Sequence, residues 1–187
     1  MAGRLNYKSL VFNLVLTVIL IGTLGFNYRQ EKLIREDIAN TQGRPPAPGT
    51  IVPEFHLLDS TGSRVKFQDL HGQDTLLVLW YTGCHPSVQL LEALNALVIE
   101  NNHVKIIPVN ITDSLAETKA FYEQKGWDFP LYVDADKSTK WAFKASISPA
   151  FYLISSDGQI IYRQLGSSKR GFDYIANWLA SSQNTYN

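Results

Sequence analysis

The stretch Leu76–Ser87, LLVLWYTGCHPS, decides how this chain reads. Its first five residues, Leu76–Trp80, are an unbroken apolar run, the pattern of a short strand covered on both faces. Beyond Ser87, the residues Leu90, Leu91, Leu94, Leu97 and Val98 recur at helical spacing. Between strand and helix stands Cys84, the single cysteine of the chain. Free backbone N–H groups at a helix start favour negative charge, and the thiolate is the nucleophilic form of a thiol. Cys84 is therefore a candidate nucleophile. The plainer alternative is a small buried hydrophobe.

Outward from this junction the pattern alternates. Phe55–Leu58 and Arg64–Phe67 read as short strands about the turn Asp59–Gly62, and Val104–Val109 reads as another. Ser114 followed by Glu117 forms a capping-box pattern that opens a helix to about Lys125. A short strand at Leu131–Val133 and a short helix at Ser138–Lys144 come next. Ala150–Ile154 and Ile160–Gln164 form a hairpin about Ser155–Gly158, and Phe172–Ala180 closes the chain as a helix. This order predicts an α/β domain with a central mixed sheet and helices on both faces.

The N-terminal part differs in kind. Leu10–Phe26 is uncharged and mostly apolar, preceded by Arg4 and Lys8. Its length suits a short membrane-spanning helix, and no Ala-x-Ala cleavage site follows it, so an uncleaved anchor is expected. Residues 28–40 can continue as a stalk helix, with Glu31–Arg35 and Lys32–Glu36 as opposite charges four apart. Gly43–Gly49, with three prolines, reads as an extended spacer. The expected division is a tail at 1–9, an anchor at 10–26, a stalk and linker at 27–45 and a globular domain at 46–187, packed from about Thr50. Lys and Arg counts on the two flanks do not favour an N-inside orientation.

Composition narrows the chemistry. The 187 residues are 45% hydrophobic and 18% charged with zero formal charge, enough for a core and without the basic bias of a nucleic-acid binder. One cysteine excludes an intramolecular disulfide. His56, His71 and His103 are scattered without metal-ligand spacing, and Cys84 with His85 makes no convincing copper or haem site, so no metal or cofactor is expected. Asp113, Asp134 and Asp136 read as turn residues.

Four segments in order resemble the thioredoxin fold, and more closely the membrane-anchored thiol–disulfide proteins of the TlpA/ResA type within the redoxin group. They are Pro48–Phe55 as the entry to the first strand, Asp59–Gly62 with Val65–Gly72 (VKFQDLHG) as a hairpin, Leu77–Ser87 as the active-site strand and W-x-x-x-C-x-x-C motif, and Ser148–Gly158 as the cis-proline segment. The resemblance spans roughly residues 46–181. It implies a thioredoxin-like fold and Cys84 as nucleophile. Pro149 would be a cis-proline beside it, and Trp80, Pro86, Ser148 and Pro149 would shape the groove for a partner segment. It also implies a single-pass protein of a bacterial cytoplasmic membrane with its domain on the periplasmic or outer side.

The departures matter as much. The family's resolving cysteine falls at Ser87, and serine cannot complete thiol exchange. Leu90 stands where many members have an acidic residue, and Gly83 where Trp is frequent. His85 adjoins Cys84, where an imidazolium would favour a thiolate. Two functions remain open. One is a monothiol exchange protein acting on protein thiols or disulfides through Cys84. The other is a redox-inactive assembly module that docks an extended partner segment beside Trp80, Pro149 and Phe151. A peroxidase is disfavoured, because Thr82 precedes Cys84 by two residues where that chemistry uses three.

Overall fold

The computed structural model describes residues 7–41, 43–70, 72–98 and 104–184. His71, His103 and the expected N-terminal tail through residue 6 lie outside the described residues. The chain forms two units, Met1–Asn40 and Thr41–Asn187.

The first unit consists of helix α1 (Tyr7–Thr41), in which the expected anchor and stalk are one uninterrupted helix. Within it Leu10–Glu36 is long and apolar enough to cross a membrane. Leu10, Phe12, Leu14, Ile19, Ile21 and Leu24 are all exposed, so apolar side chains surround the axis instead of forming one stripe. The stalk pairs form as their spacing requires, Arg35–Glu31 at 2.6 Å and Lys32–Glu36 at 3.8 Å.

The second unit is built on seven strands. In chain order its elements are β1 (His56–Asp59), β2 (Arg64–Lys66), α2 (Phe67–Leu70), β3 (Thr75–Trp80), α3 (His85–Val98), β4 (Lys105–Asn110), α4 (Leu115–Lys125), β5 (Tyr132–Val133), α5 (Ser138–Ala142), β6 (Ala150–Ile154), β7 (Ile160–Leu165) and α6 (Lys169–Asn184). The sheet order is β2-β1-β5-β4-β3-β6-β7. Strands β3, β4 and β5 run parallel, and the remaining pairings are antiparallel. This is the expected mixed α/β sheet.

Strand β3 is buried along its whole length, and its alternation divides the core. Leu76, Val78 and Trp80 pack with Leu91 and Leu94 of α3 and Ile175 and Leu179 of α6. Leu77 and Leu79 face the other layer, with Phe55, Phe67, Phe143 and Tyr152. At α4 the Ser114–Glu117 capping box closes in both directions, and Gly126 ends the helix in the left-handed conformation at φ 64°.

Two expectations change. The strand expected through Phe67 stops at Lys66, because Phe67 turns into the core as the first residue of α2. The expected spacer is also attached. Arg163 Nη1 donates to the carbonyls of Pro45 and Pro46 at 2.7 and 3.0 Å, and Gly49 and Thr50 exchange backbone bonds with Ile160. Packing therefore begins before Thr50, as a cover along the outer edge of β7.

Candidate functional site

Cys84 lies where β3 hands over to α3. The Cys84 N–H donates to the Tyr81 carbonyl at 3.1 Å, which closes a turn after the strand. Its own carbonyl accepts from Ser87 N–H at 2.9 Å and Val88 N–H at 3.1 Å, so Cys84 occupies the cap position of α3. The side chain is only 7% exposed.

What covers the sulfur is the loop before β6. The Ser148–Pro149 peptide bond is cis, as the resemblance implies. The Cys84 thiol donates to the Ser148 carbonyl at 3.5 Å, and the hydroxyls of Ser87 and Ser148 are bonded at 3.0 Å. Ser87 is fully buried, and Pro149 is buried beside it. The position that would carry a second cysteine therefore holds a hydroxyl bonded to the same loop that covers the thiol.

Two open grooves are lined by residues next to this point, Ser148 in one and Pro86 in the other. One, of about 340 Å³, is lined by Tyr81, Ile111, Thr112, Ala145, Ile147 and Ser148. The other, of about 380 Å³, is lined by Pro86, Gln89, Ser167, Ser168, Lys169 and Phe172. Ile147 stands exposed at the rim of the first. The Tyr81 ring lies over Gly83, where an added Cβ would meet it at 3.2 Å. A tyrosine two residues earlier thus fills space that a larger residue at 83 would need.

The expected site residues do not all meet here. Cys84, Ser87 and Ser148 are joined by contacts, with Pro149 following and Pro86 at the second groove. His85 is exposed, and among the described residues no hydrogen bond joins it to the sulfur. Trp80 and Phe151 are fully buried, which corrects their assignment to a docking surface. The Trp80 ring packs against Trp127 at 5.5 Å and Phe121 at 5.9 Å, under the site and not at its mouth.

Sequence reasoning missed Asp113 and Asn110. Asp113 Oδ2 accepts from Thr82 N–H and from Asn110 Nδ2, each at 2.7 Å. The Asn110 Oδ1 in turn accepts from the N–H groups of Thr112 and Asp113. This Asx turn after β4 fastens the loop that carries Cys84. The available signal was Asn at a strand end with Asp three residues on, a pattern that read only as a turn. Asp134 was also read as a turn residue. It is buried, and its carboxylate binds the N–H groups of Thr139 and Lys140 at 2.9 and 2.8 Å. Burial pushes its carboxyl up, against the opposing pull of those hydrogen bonds.

Comparison with known proteins bears on the family and the fold. The model of the AhpC/TSA family matches residues 48–163. The thiol-disulfide oxidoreductase ResA of Bacillus thuringiensis is 24% identical over 165 residues, covering 87% of this chain and 91% of that protein. The protein of the same name from Bacillus subtilis is 29% identical over 115 residues, 60% of this chain and 64% of its own. Among solved structures, a protein assigned as the thiol:disulfide interchange protein DsbE of Chlorobium tepidum superposes with a TM-score of 0.62 at 20% identity. That match covers 73% of this chain and 97% of that one.

Proposed function

This chain belongs to the AhpC/TSA family, and from that premise we propose that it is a membrane-tethered thiol–disulfide exchange protein working through one thiol, Cys84. The observation that carries the reading is the placement of that thiol. It sits at the head of α3, 3.5 Å from the carbonyl of Ser148, which lines one open groove, while Pro86 two residues on lines another. An extended partner lying along the Ser148 loop would bring its disulfide to this sulfur.

The exchange balances without a cofactor. The Cys84 thiol gives its proton to water, the thiolate attacks one sulfur of a partner disulfide, a new S–S bond forms as the partner's S–S bond breaks, and the partner's second sulfur leaves as a thiolate that takes a proton back from water. Ser87 has no thiol to break the resulting mixed disulfide. A thiol from outside the chain, on a small molecule or another protein, attacks it, forms the next disulfide and returns Cys84 to the reduced state. The Ser87–Ser148 hydroxyl contact then serves to hold the covering loop in place.

On this reading α1 crosses a bacterial cytoplasmic membrane once and holds the domain on its outer side, where exported proteins carry disulfides. The length and apolarity of Leu10–Glu36 support the crossing.

An aromatic disulfide probe tests the thiol chemistry. The folded protein is expected to release one aryl thiolate per chain and keep the other half as a stable adduct on Cys84. The Ser87→Cys variant is expected to release two, as the introduced thiol displaces the adduct. Cys84→Ser is expected to release none. If the folded protein releases no thiolate and does so only when unfolded, exchange through Cys84 is refuted.

A further inference from the structure

Within Leu10–Phe26, three side chains carry hydrogen-bonding groups: Asn13, Thr17 and Thr23. Two are satisfied inside the helix. Thr17 Oγ1 donates to the Asn13 carbonyl at 2.8 Å, and Thr23 Oγ1 donates to the Leu20 carbonyl at 2.9 Å. The Asn13 carboxamide has no hydrogen-bond partner among the described residues and is exposed on the helix surface.

Depth makes this costly. At 1.5 Å per residue, the 17 residues of the apolar run extend about 26 Å, slightly less than the ~30 Å hydrocarbon core. Centred in the bilayer, Asn13 lies five residues from the midpoint of the run and so about 7–8 Å inside the hydrocarbon edge. A long lysine or arginine reaches back to the headgroups from such a depth, but an asparagine side chain is too short. A carboxamide in hydrocarbon needs a partner on another helix.

The surrounding residues describe that partner. Leu10, Asn13, Thr17, Leu20, Leu24 and Asn27 are spaced alternately three and four apart, the a/d seam of two helices packed side by side. All copies of a single-span anchor enter the membrane in one direction, so two copies pack in parallel with equal residues opposite each other. A carboxamide carries both donors and acceptors, and is therefore complementary to its own copy across a two-fold axis. We infer that α1 is a self-association helix, and that a second copy of this chain covers the Asn13 face through an Asn13–Asn13 hydrogen-bonded pair inside the membrane.

The inference rests on reading α1 as a membrane span, and the test separates the two. The full-length chain, fused at its C-terminus to donor or acceptor fluorescent proteins, is reconstituted into phosphatidylcholine–phosphatidylglycerol vesicles. Flotation shows whether it inserts, and energy transfer is followed as lipid dilutes the protein. The wild-type chain is expected to float and to show transfer that falls on dilution. Asn13→Leu is expected to float equally and associate about 3- to 30-fold more weakly. Asn13→Gln, which keeps the carboxamide, is expected to retain association. A chain that does not float overturns the membrane reading and this inference with it. A floating wild-type chain that is monomeric at every dilution overturns self-association alone, as does an Asn13→Leu variant that associates as tightly as wild type. A monomeric chain that pairs through Asn13 only with a different membrane protein also overturns it.

Discussion

Replacing Asp113 by alanine tests how the Cys84 loop is held. The carboxylate accepts two hydrogen bonds on one oxygen, from Thr82 N–H on the β3–α3 loop and from Asn110 Nδ2 at the end of β4, each at 2.7 Å. Bonds to a charged acceptor contribute about 1.5–3 kcal/mol each where water is excluded. Asn110 is fully buried, so its orphaned amide bears most of that loss. Thr82 is half-buried, and water replaces part of its bond. The expected loss for Asp113→Ala is therefore about 2–3 kcal/mol, below the full sum of two buried bonds. Asp113→Asn keeps a neutral oxygen in the same place and is expected to lose about 1 kcal/mol. Urea unfolding of the Thr41–Asn187 unit reads both values, with unchanged slope showing that only stability moved. The same variant links stability to chemistry. Once Thr82 is released, the loop no longer presses Cys84 against the Ser148 carbonyl, and the thiol is expected to react with an aromatic disulfide several-fold faster. A loss below about 0.5 kcal/mol would refute the argument, since it would mean that water already serves Thr82 and Asn110.

Three smaller perturbations follow from other contacts. Ser114→Ala removes the hydroxyl that accepts from Glu117 N–H and donates to Glu117 Oε2, and is expected to lower stability by about 1 kcal/mol in urea unfolding. The hydrogen bond from the Ser114 hydroxyl, then that from its N–H, holds the Glu117 carboxyl below its ordinary value of 4.5. A depressed carboxyl contributes stability above the unfolded-state value and loses it as pH falls through the folded-state value. The wild-type urea midpoint is therefore expected to fall more steeply below pH 4.5 than that of Glu117→Gln, and parallel curves would count against the capping carboxylate. Arg163→Ala removes both hydrogen bonds to Pro45 and Pro46, and the Gly49 amide, which donates to the Ile160 carbonyl, is expected to exchange its hydrogen with solvent about ten-fold faster, the effect of one lost charged bond of ~1.5 kcal/mol on local opening.

What the sequence disclosed, and what it hid, follows the range of each cause. The α4 cap was legible because Ser114 and Glu117 meet within one turn. Strand β3 was legible because burial on both faces leaves an unbroken apolar run. The attachment of Gly43–Gly49 was not, because the prolines that bar a helix still offer carbonyls, and the arginine that uses them lies 117 and 118 residues away. Asp113 was hidden in the same way, since its partner Thr82 is 31 residues back and only the parallel pairing of β3 with β4 brings them together. Trp80 is a different case. Strand parity puts residues 76, 78 and 80 on one face, so once Leu76 is core, Trp80 is core as well. Its place in a motif beside Cys84 suggested a surface position, although the period-two rule already buries it. Past Trp80 the strand ends and parity no longer applies. The surroundings of Cys84 are then set by Ser148, 64 residues away, which periodicity in Leu76–Ser87 cannot encode. The resemblance of Ser148–Gly158 to a cis-proline segment supplied that link, and the thiol-to-carbonyl contact is its physical content.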